Sequence, residues 1–225
     1  MALLVKICGL RTVETALAAA RSGADMLGFV FAPSRRRITQ EQAATIIAEL
    51  RHHGVGAEVK MVGLFVNEPP AVINAAIAHC NLDYVQLSGD ERPEQAWGID
   101  RPVIKSVRLS GDPSEQAWID RAGSPTIEGG EPARSPALAP YPLIVDAHVP
   151  GSYGGSGTLA DWDQAAALAK RLPLLLAGGL TPANVAAAIE HVRPRGVDVS
   201  SGVETNGVKD SSLIEAFLHM ARSVV

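Results

Sequence analysis

Eight times along this chain a short apolar, β-rich run gives way to an Ala-rich segment with helical spacing. The runs are Leu3–Ile7, Asp25–Phe31, Val59–Val66, Tyr84–Leu87, Val103–Val107, Leu143–Val145, Leu174–Ala177 and Val197–Val199. The helical segments lie near Arg11–Ser22, Thr39–His52, Pro69–Cys80, Pro93–Trp97, Ser114–Arg121, Asp161–Arg171, Pro182–His191 and Ser211–Ala221. Strands that alternate with helices pair in parallel, and a parallel sheet needs helices over it. Eight such units in 225 residues predict a closed (β/α)8 TIM barrel of one domain, residues 1–225, rather than an open doubly wound sheet. An open sheet would usually carry a Gly-rich turn after its first strand, whereas here the glycines cluster after strands six to eight. The stretch from Ala122 to Pro142, rich in Pro, Gly and Ser, breaks the rhythm and reads as an extended loop between units five and six.

Composition narrows the function. Charged residues make up 20 % and the formal net charge is −4, so no broad basic face for nucleic acid is expected. No apolar run approaches the ~18 residues of a membrane helix, and MALLVKICGL does not read as a signal peptide. Cys8 and Cys80 belong to no CxxC and no zinc-spaced Cys/His cluster. They read as reduced thiols of a cytoplasmic protein, with no metal site expected. The sequence says nothing of oligomeric state.

Active sites of such barrels lie at the C-terminal strand ends, which confines the search. Three glycine clusters stand there: Gly154-Gly155-Ser156-Gly157 after strand six, Gly178-Gly179 after strand seven, and Ser201-Gly202 after strand eight. Glycine lets backbone N–H groups approach an anion closely, and one cluster alone would be only a turn; three neighbouring clusters point to a phosphate site. Thr181 and Pro182 read as the N-cap and first residue of the seventh helix.

Strand parity sorts the first strand. Val5 and Ile7 suit the face under the helices, so Lys6 and Cys8 are expected to point inward, with Cys8 at the mouth. A cation near a thiol favours the reactive thiolate. Asp146 ends strand six, where a carboxylate can serve as acid or base or merely cap a loop. In a closed ring it would face Cys8 across a substrate. Within Ser34–Arg37, an Arg fork could hold a carboxylate, or the segment could be a solvated basic loop. Asp198, inward on strand eight beside strand one, could reach the Cys8 region or serve as a structural acceptor. His148 lies in the loop after strand six and could line the site.

These residues resemble the phosphoribosylanthranilate isomerase family of tryptophan biosynthesis. The matching segments are Val5–Gly9, Ala24–Phe31, Ser34–Ile38, Val62–Asn67, Leu176–Val185, Val197–Glu204 and Gly207–Asp210. They run in order along the chain at the expected strand ends. The resemblance implies a (β/α)8 barrel that rearranges N-(5′-phosphoribosyl)anthranilate to 1-(2-carboxyphenylamino)-1-deoxyribulose 5-phosphate without a cofactor. It further implies Cys8 as general base, Asp146 as general acid and Arg36 as the clamp on the anthranilate carboxylate. Gly155, Ser156, Gly157, Gly178, Gly179, Ser201 and Gly202 would form the phosphate cradle; from its place on strand eight, Asp198 is expected to join the substrate site. Such chemistry asks for a raised pKa at Asp146 and a lowered one at Cys8. The chain departs from the family in having Ser88 where His is frequent, Ser156 where Thr is common, and a longer insertion before strand six. Other readings stay open. One is a broad-specificity or different phosphosugar isomerase, although a histidine-pathway relative would place Asp where Cys8 stands. The other is a barrel that only binds a phosphosugar.

Overall fold

The computed structural model describes residues 3–55, 58–123, 138–146 and 162–224. Among them, parallel strands β1 to β8 close into a barrel in sequence order. They span Leu4–Cys8, Met26–Val30, Lys60–Phe65, Tyr84–Leu87, Val103–Val107, Leu138–Val145, Leu174–Leu176 and Gly196–Val199. Helices α1 to α7 cover Val13–Arg21, Gln40–His52, Pro70–Cys80, Pro113–Gly123, Trp162–Ala169, Val185–Val192 and Ser211–Arg222. Between β4 and β5 the chain makes only a 3-10 turn at Pro93–Ala96, and a second such turn, Ser201–Val203, leads into a small antiparallel pair, β9 (Glu204–Thr205) and β10 (Val208–Lys209). No described helix is long and apolar enough to cross a membrane.

Strand parity explains the layers. Val5, Ile7, Leu27, Phe29, Val85, Val103, Val197 and Val199 face outward and join the helices in one large core. The inward set changes character along the barrel axis. Met26, Val62, Ile104, Ile144 and Leu175 fill its interior with apolar side chains. Beyond them the inner wall becomes polar, with Lys6, Gln86 and Asp198 all buried. Burying such groups is costly unless they are paired, so this end of the barrel is built for something other than stability. Lys105, at outward parity, lies outside the ring: its Nζ donates to Glu91 Oε2 at 2.8 Å in a buried pair.

Local chemistry fixes several boundaries. Thr39 and Gln42 form a reciprocal capping box at the start of α2 (2.9 and 3.2 Å), and Asp210 caps α7 through Ser212 N and Leu213 N. Two expectations need correction. The loop expected to run to Pro142 ends sooner, because β6 begins at Leu138. Its ladder with β5 shifts register between Val103 and Lys105, where Pro140 and Pro142 lack the N–H that regular pairing needs. Thr181 is not the N-cap of its helix. α6 starts at Val185 with Asn184 as cap, and the Asn184 side chain accepts from Thr181 N (2.7 Å) and donates to Gly179 O (3.0 Å). That amide staples the preceding loop into a turn and delays the helix.

Candidate active site

The site grows from β1. Lys6 Nζ donates to Asp198 Oδ1 at 2.8 Å, across the seam where β1 pairs with β8. Cys8 stands two residues on, and Gly28 of β2 is its register partner. A Cβ at Gly28 would come within 2.9 Å of Cys8 Sγ and 3.2 Å of Lys6 Nζ, so the missing side chain makes room for thiol and ammonium. Gly9 then turns the chain out of β1 with φ +81°, directly under Arg36.

The electrostatics of Cys8 correct one expectation. Burial pushes its thiol above the ordinary range, and Asp198 adds to that. Lys6 and Lys209 pull the other way without prevailing. Lys6 itself loses to burial but gains more from Asp198 and Cys8, so its ammonium is held more firmly than usual. The cation beside the thiol is therefore real, but desolvation outweighs it.

Of the three consecutive arginines after β2, the fold selects Arg36. It is only 9 % exposed, whereas the Arg35 side chain is 56 % exposed. Arg36 Nε donates to Glu204 Oε1 at 2.6 Å and Nη2 to Glu204 Oε2 at 3.1 Å. One edge of its fork is thus committed to the protein, and a ligand carboxylate would take the Nη1–Nη2 edge. Lys209 Nζ donates to Glu204 Oε1 at 2.9 Å and to Ser200 O at 2.8 Å. Burial would raise the Glu204 carboxyl, but its bonds from Arg36 and Lys209 leave it below the usual carboxylate range.

One cavity joins these groups. Cys8, Arg36, Asp146, Asp198 and Ser200 line it together with Gln86 and Ser106 from β4 and β5, and with Ser88 and Arg108 just after those strands. Asp146, at the end of β6, is held by its N–H donating to Val107 O at 2.9 Å. Two of the three glycine clusters meet nearby. Gly178 and Gly179 have φ of +87° and +65°, and a Cβ on Gly202 would fall 1.7 Å from Leu180 O. The turns after β7 and β8 are therefore in backbone contact, a fit that glycine alone permits. Gly155, Ser156, Gly157 and His148 lie outside the described residues. Among the described residues, no group of three His, Cys, Asp or Glu side chains could hold a metal ion. A larger hollow, lined by Lys170, Arg171, Arg193 and Arg195, opens at the strands' N-terminal end, where such barrels keep stability rather than chemistry.

Sequence reasoning did not single out Gly28, Gln86, Glu204 or Lys209. Each left a trace: a glycine inside a strand, a polar residue at inward parity, and a carboxylate and an amine flanking the turn-forming pair Asn206-Gly207.

Comparison with known proteins agrees with this geometry. The family model for N-(5'phosphoribosyl)anthranilate (PRA) isomerase matches residues 5–220. An N-(5'-phosphoribosyl)anthranilate isomerase of Roseiflexus sp. (strain RS-1) is 51 % identical over 223 residues, 97 % of either chain. One of Geobacter sulfurreducens is 44 % identical over 220 residues, covering 97 % of this chain and 98 % of that one. Phosphoribosyl anthranilate isomerase from Thermotoga maritima superposes with a TM-score of 0.81 at 36 % identity, over 99 % of this chain and 100 % of that one. A phosphoribosyl anthranilate isomerase in complex with reduced 1-(o-carboxyphenylamino)-1-deoxyribulose 5-phosphate superposes at 0.78 with 35 % identity, over the same shares. A closed barrel, a thiol and a carboxylate lining one cavity, and full-length matches at this identity lead to one conclusion: the chain belongs to the N-(5'-phosphoribosyl)anthranilate isomerase family.

Proposed function

We infer that this chain rearranges N-(5'-phosphoribosyl)anthranilate to 1-(2-carboxyphenylamino)-1-deoxyribulose 5-phosphate in tryptophan biosynthesis, with Asp146 as general acid and Cys8 as general base. The supporting observation is that Cys8 and Asp146, from β1 and β6, line one cavity together with the buried Arg36. Protonated Asp146 gives its proton to the ribose ring oxygen, the C1′–O bond breaks, and the nitrogen lone pair forms the C1′=N Schiff base. Cys8 as thiolate removes the C2′ proton, and the electron pair moves through C1′ to nitrogen to give an enolamine. That species tautomerises to the ketone as the O2′ proton is exchanged for one on C1′. No electrons leave or enter, so the steps call for no cofactor.

Lys6, held charged by Asp198, stands where it stabilises the thiolate as it forms. Arg36 receives the anthranilate carboxylate on its Nη1–Nη2 edge. The glycine turns at Gly178–Gly179 and Ser201–Gly202, with Gly155–Ser156–Gly157, cradle the phosphate. We take residues 1–225 as one catalytic domain acting in the cytoplasm, where its two free thiols stay reduced.

The test follows the fluorescence of freshly made phosphoribosylanthranilate. Wild type consumes it rapidly, while Cys8→Ala and Asp146→Asn, checked to be folded, each lose about 10²- to 10⁴-fold in kcat, the usual contribution of a positioned acid or base. Near-normal turnover by Asp146→Asn would remove the acid assignment. No turnover by folded wild type would leave another phosphosugar, or binding alone.

A further inference from the structure

Gln86 is a buried polar residue that the chemistry above leaves without a task. It sits at inward parity on β4, is 4 % exposed, and lines the same cavity as Cys8 and Asp146 from a different wall. Its Nε2 donates to Ser88 Oγ at 3.1 Å, and its Oε1 has no hydrogen-bond partner among the described residues. One polar head of a buried amide is thus unsatisfied. Such an atom costs stability, and its neighbours at inward parity, Leu64 and Ile104, show that an apolar side chain would suit the wall. A group kept at a cost to the fold, in a cavity, points to a ligand.

The ligand's chemistry follows from what the other walls already offer. Arg36 suits a carboxylate and the glycine turns suit a phosphate. The open atom is an amide oxygen, which only accepts, so it suits neither anion. It suits a group that is uncharged and can donate, which describes a sugar hydroxyl. We propose that Gln86, held by Ser88, hydrogen-bonds a hydroxyl of the substrate's sugar and so helps determine specificity, resting on the phosphoribosyl substrate inferred above.

Stability and function should then separate. Gln86→Met removes the unpaired head with little change in volume. Its melting temperature is expected to equal or exceed that of wild type, while kcat/KM for phosphoribosylanthranilate falls about 10- to 100-fold, the range for losing one or two hydrogen bonds to a bound substrate. Affinity for reduced 1-(o-carboxyphenylamino)-1-deoxyribulose 5-phosphate should fall by a similar factor, and affinity for inorganic phosphate should not change. In Gln86→Glu, a nearly isosteric second variant, the loss of analogue affinity should shrink as pH falls and the carboxyl takes up a proton. A Gln86→Met that melts earlier yet turns over and binds the analogue normally would make the amide structural and overturn the proposal. So would equal losses for analogue and phosphate. Should wild type itself fail to turn over the substrate, the inferred reaction fails, while the analogue-against-phosphate comparison still decides the role of Gln86.

Discussion

At the Cys8 sulfur burial outweighs the two cations that act on it, Lys6 and Lys209. The inward orientation of Lys6 and Cys8 was legible from alternation alone, because Val5 and Ile7 are apolar and had to face the helices. The net effect on the thiol was not legible, since desolvation depends on every neighbour and a sequence shows only the adjacent ones. With its pKa raised, resting Cys8 mostly keeps its proton and acts as base through the fraction that sheds it beside Lys6, a balance that alkylation reads directly. Iodoacetamide labelling of Cys8, followed by peptide mass spectrometry, is expected to accelerate only as pH passes the ordinary thiol range. Lys6→Met should move that rise to still higher pH. Cys80 is an internal control: burial pushes it up to about 11, with Glu41 adding to the shift, so it should stay unlabelled until the chain unfolds. Rapid Cys8 labelling well below the ordinary thiol range (about 8.5) would show that its two cations prevail after all.

The hairpin of β9 and β10 is too short to hold itself together, as an isolated pair of two-residue strands is not stable in water. It exists through its side chains, for Glu204 and Lys209 are register partners that bind each other, and Glu204 also accepts from Arg36. The regular barrel strands could be read from periodicity. This hairpin could not, because two-residue strands have no period. The bulge in β6 escaped for the opposite reason: its prolines read as loop, and only the register against β5 reveals a strand. Glu204→Gln tests what the hairpin does. With one anion fewer against Arg35, Arg36 and Lys209, the Arg36 fork loses its fixed orientation, and KM is expected to rise about 10-fold or more with a smaller change in kcat. The pH dependence has a definite sign. Because the folded Glu204 carboxyl lies below its unfolded value, its stabilisation is fully present above about pH 4.3 and is lost as pH falls through the folded pKa. Urea unfolding of wild type between pH 5 and 3, repeated on Glu204→Gln, should show a shallower acid loss in the variant. Identical slopes would mean that Glu204 titrates as an exposed carboxyl and does not anchor Arg36.

A barrel is complete only when its last strand meets its first, and that contact is the most distant in sequence. Lys6 and Asp198, register partners across the β1–β8 seam, are separated by 192 positions. The number and order of the strands followed from local patterning, but no local pattern says which residues meet at the seam. Two ties secure it from different ends. The Lys6–Asp198 pair serves the catalytic end. At the other end Arg222, in the last turn of α7, donates to Asp25 Oδ2 at 2.6 Å, to Gly23 O at 3.1 Å and to Leu3 O. Asp25 in turn accepts from Val5 N at 2.7 Å, so α7 is bound to the entry of both β1 and β2. The ion pair is about one-third exposed, so solvent screens it and it alone adds little. The carbonyl bonds add more, and Arg222→Met is expected to cost about 1–2 kcal/mol, read as a lower urea midpoint with unchanged slope. Since this tie lies at the end away from Cys8, kcat and KM should stay at wild-type values. A variant that lost turnover while keeping its urea midpoint would mean that closure at one end sets geometry at the other, and the division of the barrel into a stabilising end and a chemical end would have to be given up.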